Sequence, residues 1–303
     1  MADIGGYSSA AGVESAIKEA AKAAAAADPS LDASKRIQLE YFNRFLSRVF
    51  SEGEESDWVL KGGTGILARV PSTRSTRDVD LYRRGYSLDQ ALADLRRLSQ
   101  FDLHDHFRFE YVAHTSSIGS DTQPYTDGCR VKFNVFIGLS NRGTLHVDLA
   151  VGAGITDQIT ARQPATALPL PRLTSHPYRL YPVVDQIADK VCATMTTYGE
   201  RDSTREKDLV DLVVLATTHD IDGTALHTAL LTETHRRQMH PFDHFTIPTT
   251  WGAGYTRLSR PVPHCADYGT AARAAHLIVE LIDPALSGAT IDKTWTHHSH
   301  SWV

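Results

Sequence analysis

Two short motifs in this sequence could hold a metal ion and a phosphate side by side. They are Gly62-Gly63-Thr64 and, after thirteen intervening residues, Asp78-Val79-Asp80. Paired glycines let backbone N–H groups approach a phosphate closely, the N-terminus of a following helix presents its positive end, and Thr64 adds a hydroxyl donor. In a strand, residues i and i+2 point to one face, so Asp78 and Asp80 can chelate jointly. Paired carboxylates beside a phosphate cradle suit a hard divalent cation such as Mg²⁺. Two such ions would activate an attacking oxygen and neutralise a triphosphate leaving group. A third carboxylate would complete the set from a neighbouring strand, and Asp148 is the candidate because it interrupts the apolar run around Val147 and Leu149.

A second group of charges lies further along. Lys190 sits among Val184, Ile187 and Val191, which have the spacing of a buried helix face. Lys207, Asp208 and Asp211 fall three and four residues apart, near one another on a second helix. An exposed pair of that kind contributes only a few tenths of a kcal/mol, roughly. Asp211, however, stands inside the apolar run Leu209 to Leu215, where an unpartnered charge is disfavoured. Lys190 is its natural partner if the two helices pack antiparallel.

The elements that must position these residues can be read from pattern. An Ala-rich segment, Val13 to Ala27, is either a helix or a frayed extension, broken by Asp28-Pro29. Ile37, Tyr41, Phe45 and Val49 repeat at four-residue spacing, as on an amphipathic helix. Trp58 to Lys61 reads as a short strand, Gly65 to Val70 as one or two helical turns, and Asp78 to Tyr82 as a second strand. Ser87 to Ser99 is expected to be helical with Ser87 as its N-cap. Strand-like runs follow at Phe107 to Ala113, Arg130 to Gly138 and Thr144 to Val151, the second alternating Val131, Phe133, Val135 and Ile137 with more polar positions. Residues 160–182, rich in Pro and Leu, read as a linker. Beyond it come helical patterns at Val183 to Thr197, Arg205 to His219, Thr224 to Thr234 and Thr270 to Leu281. His297 to His300 reads as a loose tail. The expected layout is a helical extension over residues 1–34, an α/β domain with a mixed sheet over 35–175, and a mainly helical domain over 176–303.

Composition narrows the class. The chain has 303 residues, 42% hydrophobic and 22% charged, enough for a sizeable core. A net charge of −5 excludes a globally basic nucleic-acid binder, yet Arg69, Arg74, Arg77, Arg83, Arg84, Arg96 and Arg97 cluster around the aspartates and could track phosphates. The cysteines Cys129, Cys192 and Cys265 are too scattered for a disulfide framework or a CxxC metal knuckle. Met1 to Ser30 lacks the apolar core of a secretory signal, and no stretch has the roughly 18 to 20 apolar residues of a membrane span, so a cytoplasmic protein is expected.

Glycine pairs mark ordinary turns, and Asp-x-Asp pairs occur on solvated strand edges. In this order and spacing, and in a strand–loop–helix–strand context, the combination resembles the nucleotidyltransferase fold of the DNA polymerase β superfamily. With Lys61-Gly62-Gly63-Thr64, Arg77-Asp78-Val79-Asp80-Leu81, Val147-Asp148, Asp185 to Lys190 and Lys207 to Leu212, residues 35–220 resemble the AbiEii/AbiGii toxins, with the mycobacterial branch most similar. That resemblance implies Mg²⁺-dependent transfer of nucleotides, often pyrimidines, from NTP to the 3′ acceptor end of tRNA, which blocks aminoacylation. It implies a cognate antitoxin as partner. It also implies that Asp78 and Asp80 bind Mg²⁺ with Asp148 as third ligand. Gly62, Gly63, Thr64, Arg77 and Lys190 would hold the nucleotide, and Asp211 would organise Lys190 or join the chemistry. Some relatives carry Ser at the first carboxylate position; this chain has Asp there, which favours ordinary two-metal transfer. Two other readings compete. A small-molecule (antibiotic) or protein nucleotidyltransferase would need a different acceptor site, acidic for a cationic aminoglycoside, and the arginines argue against that. A degenerate nucleotide-binding scaffold would be expected to lack some of these carboxylates.

Overall fold

The computed structural model describes residues 6–115, 127–196 and 203–303. The chain forms two compact units. The first takes the sequence up to Pro71 together with Ser75–Ala153 and Ala161–Leu180; the second takes Ser72–Arg74, Gly154–Thr160 and Tyr181–Val303.

The first unit opens with α1 (Ala10–Ala27), capped by the Ser9 hydroxyl on the Gly12 N–H, which buries Val13, Ile17 and Ala21. α2 (Ala33–Val49) follows, capped by Asp32. Then come β1 (Trp58–Lys61), α3 (Gly62–Arg69), β2 (Val79–Arg84), α4 (Leu88–Ser99), β3 (Phe107–His114), β4 (Gly128–Ile137), β5 (Ser140–Gly152), β6 (Thr160–Arg162) and β7 (Tyr178–Leu180). Ser87 caps α4 through a complete capping box with Gln90, as its position before an apolar helix face predicts. In β4, Val131, Phe133, Val135 and Ile137 are buried, so the period-two alternation places one face in the core.

The strands form a seven-stranded mixed sheet in the order β3-β4-β5-β2-β1-β7-β6. β2 runs antiparallel to β1 and parallel to β5, so it sits centrally with Val79 and Leu81 fully buried. The stretch expected to be a linker differs from that expectation. Leu180 of β7 pairs in parallel with Leu60 of β1, and Leu168, Leu170 and Leu173 are buried in the same core. Pro and Leu here serve a packed connection that returns to the sheet.

Beneath the sheet α2 carries a buried ionic network. The Arg44 guanidinium lies 2.8 Å from Glu40 and donates to the Thr174 carbonyl, and Arg48 forms a two-bonded pair with Asp105 at 2.6 and 3.0 Å. Burial raises the Glu40 carboxyl above its ordinary range although Arg44 and Asn43 oppose the shift. The helical period of α2 signals its apolar face but not these charges; Glu40 and Arg44 are one turn apart, whereas Asp105 and Thr174 lie more than fifty residues away.

The second unit is mainly helical, with α5 (Val183–Met195), α6 (Glu206–Thr218), β8 (Ile221–Asp222), α7 (Gly223–Arg236), α8 (Ala253–Ser259), α9 (Ala271–Leu286), β9 (Thr294–Thr296) and β10 (Ser301–Trp302). Thr197, expected to end the first of these helices, lies outside the described residues, as do Met1 to Gly5 of the segment searched for a signal sequence. α6 buries every residue from Asp208 to Ala216, which explains its nearly continuous apolar run. The His-rich C-terminus is ordered, contrary to the loose tail expected. β9 and β10 pair antiparallel, and β8 extends them to three strands. Trp295 is fully buried there and its indole donates to the Ala216 carbonyl at 2.8 Å, while His300 stacks on Trp295 and meets the Tyr268 hydroxyl. Trp295→Ala is therefore expected to cost about 3 to 5 kcal/mol, the range for deleting a large buried aromatic. Chemical denaturation would read that loss; a change below about 1 kcal/mol would mean the hairpin packs only loosely. Among the described residues no helix is long and apolar enough to cross a membrane.

Candidate functional site

Within the first unit, strand register brings the two aspartate motifs together. Asp80 of β2 and Asp148 of β5 are direct cross-strand partners, so their side chains share one face of the sheet. Asp78 immediately precedes β2, two residues before Asp80 and in reach of the same face. The glycine pair plays a different part from that of a loop ahead of a helix. α3 begins at Gly62 itself, with Gly62 at φ +63° and Gly63 and Thr64 already buried in its first turn. A Cβ on Gly62 would overlap the Asp80 carboxylate, so the bare Cα is what lets that carboxylate seat against the helix start. The first-turn N–H groups of any α-helix lack intrahelical partners, which leaves this end of α3 chemically suited to an anion.

Thr64 is tied into the scaffold. Its hydroxyl donates to the Asp78 carbonyl at 2.9 Å, and the Thr76 hydroxyl donates to the same oxygen at 3.2 Å. These two bonds fix the backbone that presents Asp78. Arg77, beside it, is exposed.

The feature that sequence reading missed is Arg130 on β4. It stands directly across from Asp148 in the β4–β5 register, and its Nε and Nη2 donate to the two Asp148 oxygens at 2.7 and 2.8 Å. Nη2 lies 3.6 Å from Asp78, whose other oxygen is 3.8 Å from His146 Nδ1. The Asp148 hydrogen bonds raise the Arg130 pKa well above its ordinary value, with partial burial opposing and Asp78 and Asp80 adding to the effect. Among the described residues no three His, Cys, Asp or Glu side chains converge as a cation site. Asp78 and Asp80 still offer the hard oxygen donors that a divalent cation requires, and the bare Gly62 accommodates the Asp80 carboxylate. That pair fits a Mg²⁺ ion, whereas Asp148 is committed to a guanidinium.

Gly62→Ala isolates this geometry. It should lower activity by about 10²-fold through displacement of Asp80, on the scale expected for a roughly 1 Å misplacement. Gly53→Ala is the control, because Gly53 has the same positive φ of 63° with nothing within 4 Å of an added Cβ. Both variants carry the left-handed backbone cost of roughly 1 to 2 kcal/mol. Equal activity losses in the two would show that backbone strain alone is at work.

The second unit holds the other charged cluster. Lys190 of α5 is buried and its Nζ donates to Asp211 of α6 at 2.5 Å and to Asp208 at 3.0 Å. The Lys190–Asp211 contact expected from the apolar surroundings is present; Asp208 is a partner that spacing alone assigned to the helix surface. Arg74 closes on Asp211 with bonds of 2.8 and 2.6 Å, and Arg205 donates to Asp208 at 2.5 Å. Burial pulls the Lys190 ammonium down, but Asp208 and Asp211 outweigh it and raise its pKa overall. Burial likewise pushes Asp208 up, and Lys190 and Arg205 more than reverse it, holding that carboxyl at about 2. Asp185, one turn earlier on α5, accepts from the Thr156 N–H and hydroxyl, and burial raises its pKa despite those bonds.

The arginine cluster is less available than its density in the sequence suggests. Arg83 pairs with Asp94 and stacks over Trp58 and Tyr86, Arg97 bridges Glu52 and Asp94, and Arg96 stacks on Tyr111. Arg69 is drawn down to about 10 by burial, with Arg162 adding to the shift. Arg77 and Arg84 remain exposed.

Comparison with known proteins bears on the family and the fold. Residues 44–274 match the family model described as "Nucleotidyl transferase AbiEii toxin, Type IV TA system". No curated protein matches the chain. Among solved structures, the nucleotidyltransferase toxin MenT4 of Mycobacterium tuberculosis is similar at 16% identity and a TM-score of 0.50, over 85% of this chain and 93% of that one. JHP933 of Helicobacter pylori is similar at 14% identity and a TM-score of 0.43, over 84% of this chain and 94% of that one.

Proposed function

We propose that this chain, which belongs to the AbiEii family of nucleotidyltransferase toxins of type IV toxin–antitoxin systems, transfers nucleotides from NTP to the 3′ acceptor end of tRNA in a Mg²⁺-dependent reaction. The observation that carries the reading is the seating of the Asp80 carboxylate against bare Gly62, beside Asp78. Asp78 and Asp80 would hold Mg²⁺, which supplies Lewis-acid stabilisation of the charge that develops on the triphosphate. The chain's own residues do the rest. Thr64 and Thr76 hold the Asp78 backbone in place. The N-terminus of α3 and exposed Arg77 supply donors and positive charge to phosphate oxygens. Within the second unit Asp208 and Asp211 set the direction of the Lys190 ammonium, and a part for it in holding nucleotide rests on family resemblance alone. The attacking group is the terminal ribose hydroxyl of the acceptor; its oxygen bonds the α-phosphorus as the α–β phosphoanhydride bond breaks, pyrophosphate leaves with that electron pair, and the hydroxyl proton passes to water.

RNA as the acceptor, a pyrimidine as the preferred nucleotide and a cognate antitoxin all rest on family membership. The arginines support RNA less than their number implies, since Arg83 and Arg97 have carboxylate partners inside the fold. Arg77 and Arg84 are the exposed pair that phosphate tracking would use. Incubation with each labelled NTP, Mg²⁺ and total tRNA tests the proposal. Label should enter RNA with at least one NTP and be lost on chelation. Label in a small molecule or a protein instead would favour the alternative acceptors.

A further inference from the structure

Arg130 has a partner set that an ordinary surface ion pair lacks. Its strand position places it opposite Asp148, which in turn stands opposite Asp80, so one cation and two carboxylates lie in a row across β4, β5 and β2. Both Asp148 oxygens accept from it, and the third aspartate lies 3.6 Å from the same guanidinium nitrogen. Side-on, two-bonded Arg–carboxylate pairing is the geometrically specific kind, and a guanidinium stays charged at every pH the protein meets. Asp78, Asp80 and Asp148 carry three negative charges, and Arg130 leaves two, the charge that one divalent ion neutralises.

We infer that Arg130 is a built-in counter-cation that withholds Asp148 from metal ligation, so that the protein without nucleotide binds one divalent ion, through Asp78 and Asp80, and not two. Arg130 is a positioning residue: it acts through Asp148 and touches no reacting atom. Two expectations follow from the charge balance. Removing the guanidinium frees Asp148 and raises the local negative charge, so metal binding should tighten or a second ion should enter. Removing the Asp148 charge lowers the local negative charge and frees the guanidinium towards Asp78, so the first ion should bind more weakly, yet still bind, because Asp148 is not one of its ligands.

The inference rests on the reading of Asp78 and Asp80 as the metal site. The experiment therefore titrates Mn²⁺ into nucleotide-free full-length protein, followed by electron paramagnetic resonance of the free ion, with circular dichroism and thermal melting to confirm folding. Wild type should bind one Mn²⁺. Arg130→Gln should bind a second ion, or the first at least tenfold more tightly. Arg130→Lys should fall between, since an ammonium keeps the charge but not the fork. Asp148→Asn should still bind one ion, more weakly than wild type but at least tenfold more tightly than Asp80→Ala. Two ions in wild type, an unchanged isotherm in Arg130→Gln, or a loss in Asp148→Asn as large as that in Asp80→Ala each overturns the inference while leaving the metal site standing. Unaltered binding in folded Asp80→Ala would overturn the underlying reading, and the inference with it. If Arg130→Gln fails to fold, Arg130→Lys and Asp148→Asn decide the matter.

Discussion

Replacing Asp80 with alanine is expected to reduce nucleotide transfer by at least about 10³-fold and to relieve growth arrest, while the protein stays folded. The size follows from what the carboxylate would do: losing a ligand to a catalytic divalent ion forfeits several kcal/mol of charge stabilisation, roughly. Folding should survive because Asp80 is only partly buried and its neighbours Val79 and Leu81 carry the packing of β2. Relief of like charge across from Asp148 should offset part of whatever bonding is lost with the carboxylate. Activity and melting temperature should thus separate. A folded Asp80→Ala protein that still arrests growth would remove Asp80 from the chemistry.

A large stability effect is expected at the other cluster. Asp211 is almost fully buried and bonds both Lys190 and Arg74, so Asp211→Ala leaves two cations short of a partner in a low-dielectric setting. Breaking a buried pair from one side costs about 3 to 5 kcal/mol. Asp211→Asn keeps an acceptor oxygen and should cost less. Activity would fall in both, but only the alanine variant should show the large shift in denaturation midpoint. Equal midpoints for the two would mean that charge, and not the hydrogen bonds, is the stabilising part. A pH dependence accompanies this cluster. Asp208 is held at about 2, below its ordinary 3.8, by Lys190 and Arg205 acting against burial. A carboxyl depressed in the folded state contributes stability that is complete above its unfolded pKa and is lost as pH falls through the folded one. The contribution, about 2 kcal/mol, should therefore fade between roughly pH 4 and pH 2. Stability of Asp208→Asn should fall less steeply than wild type across that window; parallel curves would contradict the assignment.

Much of the scaffold could be read from the chain because local pattern and tertiary role coincide. Ser87 caps a helix in any context, β4 alternates because one face is buried, and β1 is short, apolar and followed by glycine. The Lys190–Asp211 contact was legible for a related reason: a charge amid apolar helix positions needs a partner, and few were available. Arg130 was hidden by register. β4 and β5 pair Ile137 with Ser140 at the turn, and a shift between Asn134 and Phe136 moves every later pair by one residue. Counting back from the turn without that bulge sets Cys129, not Arg130, opposite Asp148. The return of β7 to the sheet was equally hidden, because its alternation spans only three residues in a Pro-rich stretch. Arg74 and Asp211 lie 137 positions apart, and nothing local links them. The glycine pair was legible in part. It signalled a close backbone approach correctly, but the group that approaches Gly62 is the chain's own Asp80 carboxylate.

The central claim is that the product is an elongated tRNA. Sequencing through the 3′ ends of tRNA from cells expressing the protein tests it most directly. The account predicts extra nucleotides after the terminal adenosine on at least one tRNA, absent when Asp80→Ala is expressed. Unextended tRNA ends throughout, in cells whose growth the wild-type protein has arrested, would contradict it.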